Sequence, residues 1–369
     1  ISVCLLVYIL VSWESPLNFA QIIVQKYRRN DSFIPPNKSI LIYSAINFFS
    51  ERVETDRFLG ECPNYKEWCS ISQERKDRSR ADAIVFHNRN FNMASEREMS
   101  TMRNLEVPYV LWGLESPTYD AFKPDPDFIN WTMTYRRDAD IPFPYGRMKL
   151  RPVPIAIDYE QIWDGKNQSL PPATWLVSHC NTANRRGEVV DQLEGLGLRV
   201  DKWGGCFRRT PTCKGNETEQ CINNLISSYK FYVAFENSNC VDYVTEKFFD
   251  TIRSRHAVPI VMHRKKYEDL EIPSSSFIAL SDYSSPSEAV QAINRIAFDK
   301  QAYLEYHKWR LEFSIVPDNE NSTGFCALCR KLAERGIMST DEKQATRKSY
   351  LSVQEWHANN MCNNSLVFD

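Results

Sequence analysis

The sequence predicts an α/β protein made of two successive Rossmann-like halves, on three observations. First, residues 231–262 read as strand, polar loop, helix and strand. Phe231–Phe235 is a short apolar run, and ENSNCVDY has no apolar period. Thr245 can cap a helix whose Phe248, Phe249 and Ile252 recur at helical spacing, and Val258–Met262 is a second buried strand. Second, apolar strand patterns alternate with helical segments between residues 39 and 112, as expected of a parallel sheet covered on both faces. Third, Ala173–Ser178 opens another such series, followed by a polar loop with two arginines and a helix.

Length and charge narrow the function classes. A chain of 369 residues is long enough for two domains. With 45 basic and 47 acidic side chains the net charge is −2, so the basic footprint of a nucleic-acid binder is missing. Neither GxGxxG nor GxxxxGK[ST] occurs, which leaves dinucleotide and P-loop readings without support.

The chain opens on ISVCLLVYILVSW, an uncharged stretch shorter than the about 20 residues a bilayer span needs. A buried strand, a signal-peptide core and the luminal end of a truncated signal anchor compete, and the absence of an initiator Met favours the last. We therefore expect an anchor remnant at 1–13, and a stem at 14–38, which is polar and carries Pro16, Pro35 and Pro36. Sequons at Asn30, Asn37, Asn130, Asn167, Asn216, Asn321 and Asn363, together with eleven cysteines, point to an oxidising secretory lumen. Cys326-x-x-Cys329 could be a zinc half-site with Cys62 and Cys69. In such a lumen disulfides are the stronger reading, and we expect a link between the Cys62/Cys69 region and Cys326/Cys329.

The first half, 39–165, takes strands from Ser39–Phe48, Ala81–Phe86 and Val107–Trp112, with a surface helix at Ser95–Asn104. Cys62–Arg80 reads as loop and surface helix. The third strand runs into Gly113-Leu114-Glu115-Ser116-Pro117, so Glu115 lies just past a strand end, where open α/β sheets bind ligands. On position alone Glu115 is equally a general base or a turn cap. Further on, Arg136 and Arg137 could bind phosphate or hold carboxylates. Asp125-x-Asp127 and Asp138-x-Asp140 could hold a divalent cation with hard oxygens, but Asp138 follows two arginines and is better read as their partner. Val153–Ile157 is strand-rich and leads to a connection at Asp158–Leu170.

The second half, 166–312, continues with the helix from Gly187 to about Leu196, the strand Leu198–Trp203 and the GGC turn at 204–206. A helix at Ser287–Phe298 is capped by SPSE, and another at Lys300–Glu312 carries Tyr303, Tyr306 and Trp309 as a core stripe. Residues 313–369 form a C-terminal extension containing the CxxC pair.

FENS followed by DYVTEK, a helix and VPIV closely resembles the donor-binding signature of the α1,3-fucosyltransferases, glycosyltransferase family 10. The strings 108–117 and 130–146 resemble the same family, in compatible order, and the likeness spans roughly residues 39–312. It implies a GT-B architecture with two Rossmann-like domains facing across a cleft. It also implies transfer of L-fucose from GDP-β-L-fucose to the 3-hydroxyl of a GlcNAc residue with inversion. Inversion needs one base for the acceptor proton, and the resemblance assigns that role to Glu115. The family carries SN, six residues and a phosphate-binding Arg where this chain has Ser178, His179 and Arg186. The roles then expected are Arg186 and Lys247 on the pyrophosphate, Tyr232 and Asn237 on the guanosine side, and Tyr243 and Glu246 on ribose or fucose hydroxyls. Glu236 is expected to brace the loop.

The expected partners are GDP-fucose, a GlcNAc-containing glycan or glycoprotein acceptor and the Golgi membrane, in a single-pass type II arrangement with a luminal catalytic region. No cofactor is required on this reading, with Mn²⁺ at most stimulatory. Two alternatives stand beside it: a metal-dependent glycosyltransferase using Asp138 and Asp140, and a catalytically silent luminal glycan-binding protein.

Overall fold

Two parallel sheets organise the chain. The computed structural model describes residues 38–45, 52–59, 62, 65, 67–99, 103–119, 122–213, 218–316 and 323–368. The expected anchor remnant and nearly all of the stem lie outside these residues.

The first sheet has six strands: β1 (Ile40–Ser44), β2 (Cys69–Ser72), β3 (Ala83–His87), β4 (Tyr109–Gly113), β5 (Trp131–Thr134) and β6 (Ile141–Pro142). Their order is β2-β1-β3-β4-β5-β6, all parallel. AIVFH and YVLWG are buried along their whole length, because helices and loops cover both faces. β2 corrects the expectation of loop and helix over Cys62–Arg80. Its four residues, CSIS, are too short a run to register as a strand until β1 pairs with them.

After β7 (Arg147–Leu150), the second sheet takes β8 (Ala173–Leu176), β9 (Val200–Trp203), β10 (Phe231–Val233), β11 (Val258–Val261) and β12 (Ile278–Ala279). The order is β12-β11-β10-β8-β9, again parallel throughout. Helix Arg186–Gly195 follows β8, and helix Glu246–Arg253 joins β10 to β11. The expected SPSE cap forms, with the Ser285 hydroxyl accepting from Glu288 N. The GGC turn needs its first glycine: Gly204 has φ +104°, and a Cβ there would meet the Val177 carbonyl oxygen at 2.2 Å. Lys300–Glu312 is a shorter helix, Lys300–Glu305, followed by a 3₁₀ turn, and its Tyr303 and Trp309 are buried as core.

Val153–Ile157 is not a strand. Pro152 and Pro154 remove ladder donors there, and Val153 and Ile155 are exposed. The Asp158–Leu170 connection contains a helix, Tyr159–Asp164, capped by Asp158 through Gln161 N.

The chain then returns to the first sheet. β13 (Phe313–Val316) pairs antiparallel with β7. Helix Thr323–Gly336 buries Phe325, Leu328 and Leu332 in one apolar cluster with Ile42, Val85, Trp112 and Met133. The disulfides Cys62–Cys326 and Cys69–Cys329 fasten it there, so the CxxC pair links to the Cys62/Cys69 region. Tyr350 and Val353 close the opposite face. Asn130, one of the sequons, is 5% exposed and its amide is spent on Arg103, Tyr109 N and the Lys348 carbonyl.

Candidate active site

The site lies where the carboxyl ends of β4 and β10 face each other. β4 ends at Gly113, and a turn carries Glu115 outward before the 3₁₀ segment Pro117–Tyr119. Ser116 N donates to Glu115 Oε1 at 2.9 Å. From the other half, Asn237 Nδ2 reaches the same oxygen at 3.1 Å and the Tyr243 hydroxyl at 2.7 Å. Arg89, at the carboxyl end of β3, stands 3.7 Å from Oε2. Burial pushes the Glu115 carboxyl up. The hydrogen bonds from Tyr243, Ser116 and Asn237, with Arg89 nearby, outweigh burial and hold it below the ordinary carboxylate value. Oε2 therefore belongs to an ionised group, while Oε1 is the oxygen that anchors it.

Glu236 braces the loop as expected. It is 2% exposed and accepts from Thr245 N at 2.7 Å and Thr245 Oγ1 at 2.8 Å. That fixes the start of helix Glu246–Arg253, where the Thr245 hydroxyl also accepts from Lys247 N. Lys247 Nζ donates to Thr245 Oγ1 and to Glu246 Oε1, both at 2.9 Å, and lies 3.5 Å from Glu236 Oε2. Burial works against its charge, but Glu246 and Glu236 outweigh burial and raise its pKa. Lys247 thus stands at a helix N-terminus, where free backbone N–H groups favour an anion, with its ammonium shared between two acids.

The two halves touch directly. Ser116 and Ser238 hydroxyls are 3.0 Å apart, and Ala183 N donates to the Tyr119 hydroxyl at 2.8 Å. Asp242, in the left-handed region at φ 59°, accepts from Arg137 N and Nε, both at 3.0 Å. Within the first half, Tyr145 donates to the Leu114 carbonyl at 2.8 Å. Cys240–Cys362 and Cys180–Cys206 tie down the loops on either side.

Three expectations change. Tyr232 is 3% exposed, packs with Phe248 and Ile252, and its hydroxyl is turned to the Leu176 carbonyl, so it is core and offers no face to guanosine. Asn237 and Tyr243, expected on guanosine and on sugar hydroxyls, both hold Glu115, and Asn237 Oδ1 is left without a partner. Arg186 is 2% exposed; its guanidinium donates to the Phe235 carbonyl at 2.7 Å and the His179 carbonyl at 3.0 Å. It thus ties the two polar loops together, with Nε buried and unpartnered. Glu246 is half exposed and faces Lys247, as an open contact point would.

Arg89 is not picked out by the sequence reading, and the basic run Arg264–Lys266 reads from sequence as a solvated face. Arg89 follows β3 at the same sheet edge that singled out Glu115, so the same rule would have found it. Lys266 is half-buried beside the Tyr267 ring; burial lowers it to about 8, with Glu236 opposing and Lys247 adding to the shift. The D-x-D carboxylates are engaged by other groups. Arg136 grips Asp138 at 2.8 and 2.6 Å, and Asp140 accepts from Thr132, Tyr350 and Lys348. Asp125 pairs with Arg97, and Asp127 accepts from Ser349. Arg136 and Arg137 therefore hold carboxylates.

Residues 35–146 match the family described as fucosyltransferase, N-terminal, and residues 163–356 match glycosyltransferase family 10 (fucosyltransferase) C-term. The chain belongs to glycosyltransferase family 10. Among curated family members, an α-(1,3)-fucosyltransferase of Caenorhabditis elegans, fut-6, is 40% identical over 334 residues, covering 89% of this chain and 83% of that one. A second from the same organism, fut-5, is 36% identical and covers 100% and 95%. Glycoprotein 3-α-L-fucosyltransferase A of Drosophila melanogaster is 30% identical over 86% of this chain and 60% of its own. A crystal structure of an α1,3-fucosyltransferase with GDP-fucose superposes with a TM-score of 0.52 at 16% identity, over 81% of this chain and 91% of that one. That likeness is one of fold, and the family's GT-B architecture is the one seen here.

Proposed function

We propose that this family 10 member is a GDP-fucose-dependent α1,3-fucosyltransferase that transfers L-fucose to the 3-hydroxyl of a GlcNAc residue in glycoprotein glycosylation, with inversion. One observation carries the catalytic assignment. Glu115 stands at the carboxyl end of β4 and is held by Asn237 and Tyr243 from the donor-signature loop. The base is thus oriented by the loop that would bracket the donor.

In this mechanism Glu115 Oε2 takes the proton from the acceptor hydroxyl as that oxygen bonds to the anomeric carbon of fucose. The bond from that carbon to the β-phosphate oxygen breaks, and GDP leaves with the electron pair. The forming positive charge on the sugar is stabilised by the anionic surroundings. Lys247, with the helix N-terminus behind it, takes up charge on the leaving diphosphate, and Arg186 orients the loops around it. Glu246 binds a donor hydroxyl. Catalysis on this reading requires no metal, since the D-x-D carboxylates already serve structural cations and hydroxyls.

Glu115→Gln is the test. Transfer should fall by about 10²–10⁴-fold while GDP affinity is unchanged. Transfer at the wild-type rate would refute the base assignment. Full activity in EDTA is expected, and loss restored by Mn²⁺ would favour the metal-dependent reading. No release of GDP from GDP-fucose in the presence of an acceptor would favour the catalytically silent glycan-binding reading. An acceptor panel with linkage analysis separates core GlcNAc from antennal N-acetyllactosamine.

We place the enzyme in the Golgi lumen as a single-pass type II protein. Five disulfides among the described residues support an oxidising compartment. No helix among those residues is long and apolar enough to cross a membrane. The anchor therefore rests on the opening apolar stretch of the sequence.

A further inference from the structure

At the amino edge of the second sheet, opposite the catalytic cleft, cations are buried without acids. Lys230 precedes β10, and Lys166 reaches the same edge, donating to the Ser227 carbonyl at 2.8 Å. Lys166 is 4% exposed, Arg310 7% and His307 1%. Arg151 adds a further guanidinium, bonded to the Arg310 and Phe313 carbonyls, and His256 stands at the exposed rim. Among the described residues, no carboxylate pairs with any member of this group.

The group is also rich in idle donors. Arg310 Nε donates to His307 Nδ1 at 3.2 Å, so the neutral imidazole carries its own proton on Nε2. His307 Nε2, Arg310 Nη2 and the Tyr159 hydroxyl are all buried and unpartnered. An uncompensated buried cation and an unmet donor are each unfavourable, and here they coincide. A water molecule would satisfy donors but leave the charge. An anion does both. Tyr159 also lines an open cavity of about 420 Å³ with Lys300, Gln301, Leu304, Glu305 and Lys308, whose two lysines are paired with Glu160 and Glu305, so the uncompensated cations are those behind the Tyr159 hydroxyl.

We propose that this edge holds a site for one small tetrahedral oxyanion, inorganic phosphate or sulfate, ligated by Arg310, His307, Lys166 and Tyr159. The electrostatics agree. Burial, with Arg310 adding repulsion, lowers the Lys166 ammonium to about 7; burial, with Arg151 adding repulsion, lowers the Arg310 guanidinium to about 10; and burial, with Arg310 and Lys166 adding to it, pushes His307 well below its ordinary value. A bound oxyanion would reverse each shift. Four residues of β8 at about 3.3 Å each set this edge roughly 13 Å from the carboxyl edge, so the site is separate from the diphosphate position.

The test is thermal melting of the full chain saturated with GDP, titrated with phosphate and, separately, with sulfate at constant ionic strength in chloride. A saturable rise in melting temperature is expected for at least one oxyanion. Lys166→Gln keeps a donor for the Ser227 carbonyl and should weaken the apparent affinity about tenfold or more, the effect of one lost charge-assisted bond. Arg310→Lys serves as the second variant should Lys166→Gln fail to fold. Wild-type titration in both variants would overturn the site. So would a rise that chloride reproduces, or one that GDP abolishes, which would put the anion on the donor loop.

Discussion

The second sheet carries lysines at both edges, one partly buried and one buried, and the two edges treat them in opposite ways. At the carboxyl edge Lys247 stands between Glu246 and Glu236, which raise its pKa although burial opposes them. At the amino edge Lys166 has a carbonyl and Arg310 for company, and burial carries its pKa down to about 7. The side-chain type is the same; Lys166 is the more deeply buried, at 4% exposure against 23% for the Lys247 side chain, and the partners differ. The charge of a lysine at either edge of this sheet is set by the nearest acids. An edge with acids is pre-organised for a leaving group that must be released, and an edge without them is an anion site in waiting.

The largest effect should come from removing the acid that does chemistry at the carboxyl edge. Glu115→Gln is expected to lower kcat by about 10²–10⁴-fold without moving the melting temperature of the GDP complex, read by radiometric transfer and thermal shift.

Next is the pH dependence of stability at the amino edge. Below about 7, Lys166 is protonated in both folded and unfolded chains, and its unfavourable burial is fully felt. Between about 7 and its unfolded value of 10.5 the unfolded chain binds more protons, so stability rises with pH. Relative to Lys166→Gln in phosphate- and sulfate-free buffer, wild type should gain on the order of 4 kcal/mol from pH 7 to 10, by urea unfolding. His256, His307 and Arg310 face the same pocket and are unchanged in both proteins. A flat difference would erase the contrast between the edges.

Glu236→Gln should make the carboxyl edge more like the amino edge. It removes one of the two acids beside Lys247 and weakens the bonds to Thr245. The expected loss is about 2 kcal/mol in unfolding and a raised KM for GDP-fucose with a smaller change in kcat. An unchanged KM would mean that Lys247 is not on the donor.

The smallest effect is a shift of one limb of the pH profile. Tyr243→Phe removes the shortest hydrogen bond to the Glu115 carboxylate, which favours its charged form. The Glu115 pKa should rise, and the acid limb of kcat/KM should move to higher pH. In the wild type the matching stability is present above the unfolded carboxylate value and lost as pH falls through the depressed folded one. A limb that stays in place would show that another group governs it.

Much of this was legible in the residues. β3, β4, β10 and β11 are continuous apolar runs, because both faces of a parallel sheet are covered. Glu115 was legible because a strand end followed by a turn marks the ligand edge. The loop role of Glu236 followed from the need to partner a buried acid. Tyr232 was misread because alternation was not applied to β10. Phe231 and Val233 share one cluster, while Tyr232 lies with Ala234 under helix Glu246–Arg253. The task of Asn237 and Tyr243 could not be read, since their contacts with Glu115 cross 122 and 128 residues.

By itself, then, the sequence determined which segments are strands and helices and which polar loops lie at their carboxyl ends. Those features follow from local periodicity, capping and turn chemistry. Only the tertiary structure decided that the FENS loop clasps the base, that Arg186 joins two loops, and that the CxxC helix returns to the first sheet. It alone decided which lysine meets acids and which meets none. Charges and hydrogen bonds act over a few ångströms in space, and nothing in the order of residues states which distant side chains folding will bring within that range.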